Sequence, residues 1–521
     1  MKRSLLFLAA FILCFGQSSC GKDNGSQGST YDSLFGGDTE KPGQGEEPDL
    51  GPVVTAGTSA LELPYIISDG MILQQQAQAT IWGKATPRAE VTVKPSWTDE
   101  SFSGRVGLDG IWKIAVTTPA GSFTEHSLAI TDSQKGGKTI SGILIGEVWL
   151  SAGQSNMEHR IGGFGTPGAD NYQPIKDVEE ELKDADLPWF HYFKSAYQLS
   201  DEPMFQTKSA SWFACNAAKA PDIQAIAFFF ARKLGRDLNV PIGIIGCAYG
   251  GSRIEAWMSL NSLQKFPASE WKDITDLGKK PGDKDKQIPA QIYNGMVLPL
   301  LPYTTRGILW YQGESNKDNS ASYPRLQKEM VRSWLEVRGL EEGSIPFYYV
   351  QLASYKTTVS TTLAQWAAFQ QAQLEGQALI PKSGVIPAYD CGGPTIHYPD
   401  KRTPAERLVL MAEARTYGIT TTCPDAPRFV SMAVSGKEAI VTLSNAEGLH
   451  LAAGESKILY GQIAGSNGTW YDADVTIRGD KLVFSSANVS APAHVSLCYG
   501  AWCVGGTIYN SVGLPVFPFR N

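Results

Sequence analysis

At 521 residues, with 42% apolar and 19% charged residues, the chain has the composition of a globular protein and is too long for one hydrophobic core, so two to four domains are expected. A formal net charge of −7 with no long basic run argues against nucleic acid as a partner. Aromatic residues make up 10% of the chain, 13 of them Trp, which suits sugar-facing surfaces as well as cores.

The first residues read as a targeting segment. Met1-Lys2-Arg3 supplies the positive start, and the apolar run from Leu5 to Phe15 is too short to span a bilayer. Small polar residues then lead to Cys20, and Cys20-Gly21-Lys22-Asp23-Asn24 resembles a bacterial lipoprotein processing site. That resemblance implies a signal peptide over 1–19 and lipidation of Cys20. The protein is then exported, faces the periplasm or the outer cell surface, and meets a membrane only through its lipid anchor. Residues 20–58 are rich in Gly, Asp, Glu, Ser and Pro, and read as a flexible tether that cannot bury enough surface to fold.

From 59 to 144 the chain alternates or turns β-branched in short runs: Ala79 to Trp82, Glu90 to Lys94, Gly110 to Val116 and Ser127 to Thr131. Gly, Pro and Asp separate them, which predicts a small β-sandwich. Between 145 and 424 the texture changes. Apolar strands at Gly243 to Gly246, Gly307 to Tyr311 and Pro346 to Leu352 alternate with helical stretches at Ala225 to Leu238, Tyr323 to Arg338, Thr362 to Gly376 and Pro404 to Tyr417. Such alternation predicts an α/β unit, a doubly wound parallel sheet with helices on both faces and its ligand site beyond the strand C-termini. From 425 to 521 strands return, at Val430 to Val434, Glu438 to Leu443, Lys481 to Phe484 and His494 to Cys498, as a C-terminal β-rich region. Six cysteines follow Cys20, and export permits disulfides: Cys498 with Cys503 across a hairpin, and Cys391 with Cys423 as a second pairing. None has metal-ligand spacing and no His-Glu-x-x-His occurs, so no metal and no cofactor is expected.

The most informative stretch is Glu147 to Met157. Val148 to Ser151 is β-prone and stops at Gly153, so Ser155 stands at the C-terminal edge of a sheet. A helix opening near Asn156 would aim backbone N–H groups at the same spot, a favourable place for a nucleophile whose intermediate is an oxyanion. The other reading is an N-capping serine between strand and helix. Serine needs a base, and His397, in a loop before a helix starting near Thr403-Pro404, can supply it. His159 and His450 read as structural hydrogen bonders. Two more loops follow apolar strands. Tyr249-Gly250-Gly251-Ser252-Arg253 lets backbone approach a ligand closely, and Trp310-Tyr311-Gln312-Gly313-Glu314-Ser315-Asn316 offers an amide at Gln312.

Gly-Gln-Ser-Asn-Met, Gly-Gly-Ser, Trp-Tyr-Gln-Gly-Glu-Ser-Asn and Ile-His-x-Pro-x-Lys, in this order, resemble the sialate O-acetylesterase family of the SGNH hydrolase superfamily. Ser68 to Gln74, Asn294-Gly295-Met296 and Gly513 to Arg520 are similar to further blocks of that family, so the resemblance runs through nearly the whole mature chain. It implies that Ser155 is the nucleophile and His397 the general base. The Gly251 N–H, the Gln312 amide and the Ser155 N–H would form the oxyanion hole. Glu314, Arg253, Asn294 and Asp390 would be supports or substrate contacts, Arg253 being open to a plain salt bridge with Glu255. The family's acidic residue two or three positions before the histidine is replaced by Thr395 and Pro394. Asp390, Asp400 or a backbone carbonyl would then orient His397. The implied reaction is removal of O-acetyl groups from glycans, first of all O-acetylated sialic acids, through an acetyl-enzyme. Acetylated xylan and other plant polysaccharides are the alternative substrates, and a non-catalytic glycan-binding lipoprotein is the alternative class.

Overall fold

The computed structural model describes residues 50–521, so Cys20, the signal segment and most of the tether lie outside the described residues. Six strands come first: β1 (Ile72–Gln74), β2 (Gln78–Lys84), β3 (Glu90–Pro95), β4 (Phe102–Arg105), β5 (Ile111–Thr117) and β6 (Ser122–Asp132). Alternation sets their faces. In β5, Ile114 and Val116 are buried while Lys113 and Ala115 are exposed. β2 pairs with β5, and β3 with β4 and β6; Trp82 and Trp112 are buried in the core.

The next strand, β7 (Gly137–Gly153), is 17 residues long and belongs to both halves of the molecule. Its first part pairs antiparallel with β6 and parallel with β1. After it come β8 (Leu187–Lys194), β9 (Trp212–Cys215), β10 (Ile242–Ala248), β11 (Gly307–Tyr311), β12 (Phe347–Val350) and β13 (Ser383–Ile386). From Glu147 onward β7 runs parallel between β10 and β11. The central order is β13-β12-β11-β7-β10-β8-β9, within a mixed sheet of 11 strands. Position 144/145 therefore falls inside a strand rather than in a linker.

Both faces of this sheet are covered, which is why β10 and β11 are buried at every position. Consecutive residues look opposite ways. Trp149 packs on Phe230 of the helix Ala225–Leu238, with ring centroids 5.2 Å apart. Trp310 is paired with Ala152 and so looks the other way, packing on Trp334 of the helix Tyr323–Val337 at 5.9 Å. The helix Arg402–Ala412 packs beside Ala225–Leu238, and Ser360–Gly376 beside Tyr323–Val337. The sheet is doubly wound.

Two antiparallel four-stranded sheets end the chain. One orders Arg428–Ser435, Glu438–Ser444, Lys481–Ser485 and Asp474–Arg478; the other orders Trp470–Asp472, Gly461–Ala464, His494–Leu497 and Phe519–Arg520. They enclose a second core around Val441, Phe484 and Val495. The expected disulfides are not formed. All six described cysteines are free thiols. Cys391 is buried against Arg407 while Cys423 is exposed beside Asn445, so their surroundings differ. Cys498 and Cys503 lie close together as thiols, and the Cys503 thiol donates to the Gly500 carbonyl at 3.8 Å.

Candidate active site

β7 ends where it does because of Gly153. Its φ is +148°, and a Cβ there would lie 2.1 Å from the Tyr311 carbonyl oxygen, so a side chain would push β7 away from β11. The chain passes through extended Gln154 into the single helical turn Ser155–Glu158. Ser155 is half-buried and opens on a cleft of about 740 Å³. Gly250 and Gly251 beyond β10, Glu314 beyond β11, and His397 also line that cleft. Three motif loops and the histidine loop thus meet at one sheet edge, as expected of a doubly wound fold.

His397 is half-buried, and its Nδ1 lies 2.9 Å from Gln173 Oε1. With that oxygen as acceptor, Nδ1 carries the proton and Nε2 keeps the lone pair. Burial, and then the charge of Lys401, pull the imidazole down to about 4, so it is neutral at ordinary pH. No carboxylate plays the orienting part. Asp390 is buried and held by Arg407 at 2.6 and 2.8 Å and by the Tyr509 hydroxyl at 3.0 Å. Asp400 accepts from the Thr403 N–H and hydroxyl at the start of the Arg402–Ala412 helix. The neutral amide of Gln173 fills the place instead. Its backbone oxygen also accepts from His159 Nε2 at 2.8 Å, and His159 stacks on Phe164, which in turn meets His397 edge to face. Nothing in the residues around Gln173 signals this part in the sequence.

The oxyanion side differs from expectation at Gln312. Its side chain is fully buried, and Nε2 faces Gln154 Oε1, Ser252 O and Asn316 Oδ1 at 2.8 to 3.1 Å. The Tyr323 hydroxyl donates to its Oε1. With its amide hydrogens committed to protein acceptors, Gln312 does not face the cleft. Gln154 does. Its Oε1 collects the Gln312 amide and the backbone N–H groups of Gly313 and Ser315. Its Nε2 is thereby turned to the opposite side. Gly250 N–H donates to Glu158 Oε2 at 2.6 Å, whereas Gly251, at φ +73°, lines the cleft directly.

Beneath Ser155, Asn156 joins three loops. Its Nδ2 donates to Glu314 Oε1 and, at 3.1 Å, to the Ile396 carbonyl, while its Oδ1 accepts from Lys401 Nζ at 2.6 Å. Lys401 is buried over the Tyr398 ring, and desolvation pulls its ammonium down to about 7. Burial pushes the Glu314 carboxyl up, and its Oε2 has no hydrogen-bond partner. Glu314 is therefore both a support, through Asn156, and a cleft-lining group.

Arg253 is not available to a ligand. It is buried and pairs with Glu255 at 3.2 Å and Asp318 at 3.0 Å, and donates to Ser315 O, tying the glycine loop to the loop after β11. Asn294 is also outside the cleft, because its amide fastens the Ser200 and Asp201 carbonyls. The cations that do line the cleft are Lys286 and Lys317, and neither has an ion-pair partner within 4 Å among the described residues.

A profile for carbohydrate esterases described as sialic acid-specific acetylesterases matches residues 145–402, which hold Ser155, both motif loops and His397. That segment of the chain, residues 145–402, is a domain of this family. The protein is an esterase, and O-deacetylation of glycans is the reaction of its class. Human sialate O-acetylesterase is 27% identical over 402 residues, covering 70% of this chain and 72% of the human protein. The mouse enzyme is 26% identical over 407 residues, covering 68% and 73%. A carbohydrate acetylesterase from Xanthomonas citri, known from its crystal structure, superposes with a TM-score of 0.77 at 29% identity, covering 89% of this chain and 99% of its own.

Proposed function

We propose that this esterase removes O-acetyl groups from sialic acids through an acetyl-enzyme formed on Ser155. The observation that carries the reading is the meeting of Ser155, His397 and Gly251 in one cleft beside two unpaired lysines. His397 Nε2 takes the Ser155 proton as the hydroxyl attacks the acetyl carbonyl. The Ser155 and Gly251 N–H groups and the Gln154 amide receive the oxyanion. His397 then gives its proton to the departing sugar oxygen, and water repeats the sequence on the acetyl-enzyme. Gln173 holds the imidazole and shares the charge it briefly carries. Lys286 and Lys317 supply ammonium groups that can pair with a sialic acid carboxylate, contacts that a neutral xylan does not use. Anchoring through Cys20 belongs to the same reading, and would place the cleft at a membrane surface.

Acetate release tests the reading, with 9-O-acetylated sialic acid and acetylated xylan offered in parallel. The expected result is release that favours the sialic acid, falls by about 10³-fold or more in Ser155→Ala, and loses its preference in Lys286→Gln/Lys317→Gln. A preference for xylan would move the substrate to neutral plant glycans. Undiminished release by Ser155→Ala would remove the mechanism.

A further inference from the structure

A second cavity, of about 580 Å³, opens beside the catalytic cleft at the C-terminal ends of β8 and β10. Glu158, Phe164 and Tyr197 line both spaces, so they form a partition rather than an outer wall. The partition is held by hydrogen bonds: the Glu158 carboxylate accepts from the Gly250 N–H on one oxygen and from the Tyr197 hydroxyl on the other. Tyr197 is 50% exposed and leans on Tyr249, with ring centroids 4.5 Å apart. Because Glu158 is one helical turn beyond Ser155, a ligand reaching from one space to the other passes close to the nucleophile.

The two spaces differ in how their charges are arranged. Lys286 and Lys317 line the catalytic cleft outside any ion pair, together with the carboxyls of Glu158 and Glu314. In the second chamber Arg160 lies 3.1 Å and Lys194 3.7 Å from the same Asp222 carboxylate, and Glu158 supplies a second carboxylate. Two cations thus face two anions, and no net charge remains to attract an ionic group. What the chamber offers is a set of fixed donors and acceptors (Arg160, Asp222, Gln224, Lys194) beside the ring surfaces of Phe164 and Tyr197. That combination fits the hydroxyl edges and C–H face of a pyranose, and the volume lies within the usual range for small-molecule sites.

We propose that this chamber is a subsite for a neutral sugar joined glycosidically to the acetylated one. The full substrate is then an acetylated acidic sugar still attached to its glycan, not the free monosaccharide. The inference rests on the esterase reading above and extends it to the residue next to the one deacetylated.

The test compares kcat/KM for 9-O-acetylated sialic acid, free and as its glycoside of a neutral hexose, with p-nitrophenyl acetate as a small ester. It uses the wild type, Asp222→Ala and Ser209→Trp; both positions are exposed at the chamber, so folding is not at stake. The wild type should prefer the disaccharide by about tenfold, the scale of one or two well-made polar contacts. Each variant should remove that preference, and lose at least about tenfold more on the disaccharide than on the small ester. Calorimetry of Ser155→Ala with the deacetylated disaccharide gives a readout that needs no turnover, and Asp222→Ala in that background should weaken binding. If hydrolysis of every ester fails but this binding and its Asp222 dependence stand, the esterase reading falls and the subsite survives. Equal kcat/KM for free and linked sugar, with binding indifferent to Asp222, would overturn the subsite.

Discussion

Replacing Gln173 probes the least expected element of the site. In Gln173→Ala the imidazole of His397 loses its acceptor, the Oε1 now 2.9 Å from Nδ1. The interaction matters most when His397 carries the serine proton, because a hydrogen bond to a charged group is worth about 1.5–3 kcal/mol. At about 1.4 kcal/mol per tenfold, kcat should fall about 10- to 100-fold while KM changes little. The backbone contact of residue 173 to His159 survives the truncation, so the surrounding packing should hold. Gln173→Glu supplies the opposite perturbation. A carboxylate at this distance favours the imidazolium, and such a neighbour shifts a pKa by about 1–3 units. His397 now titrates near 4, so activity should persist in the wild type well below neutral pH. In Gln173→Glu the acidic limb of kcat/KM should move upward, because the base must be unprotonated to act. The assay is p-nitrophenyl acetate hydrolysis from pH 4 to 8 for the three proteins. An alanine variant within twofold of wild type, with all three limbs superposed, would refute the orienting role.

Gln154→Ala should lower kcat on the same ester by about 10²–10³-fold with little change in KM, as expected for a lost oxyanion donor; an unchanged kcat would return that part to another group. Lys401→Met removes the cation that, after burial, holds His397 down, so the acidic limb of the pH profile should rise toward ordinary imidazole values. The same variant carries a stability signature. Lys401 loses its proton near 7 in the folded protein but not in the unfolded chain, which binds more protons between 7 and the ordinary lysine range. Relative to Lys401→Met, the wild type should therefore gain stability as pH rises through that window, as read by urea unfolding at pH 7 and pH 9.5. Asp390→Asn leaves Arg407 buried without its partner, at a cost of about 3–5 kcal/mol in unfolding free energy. The kcat of the variant that remains folded should stay within about twofold, because Asp390 does not touch His397.

The chain's periodicity determined most of its elements. The helix Ala225–Leu238 and the strand Gly307–Tyr311 run over the residues expected of them, because continuous apolar runs between turn signals leave few alternatives. β8 was not legible: Leu187–Lys194 mixes Pro, His and Lys with aromatic residues, and only its place between β10 and β9 makes it a strand. The motifs likewise placed Ser155, Gly251 and His397 at one edge, because each loop follows a parallel strand and all such strands end on the same side. What lies around them was decided in three dimensions. Gln173 reaches His397 across 224 positions of chain, Lys401 reaches Asn156 across 245, and Arg253 is consumed by Asp318, 65 residues away. A side-chain amide or cation has no periodicity of its own. Its partner depends on which loops the sheet brings together, and that separates Gln154, which faces the cleft, from Gln312, which the core absorbs.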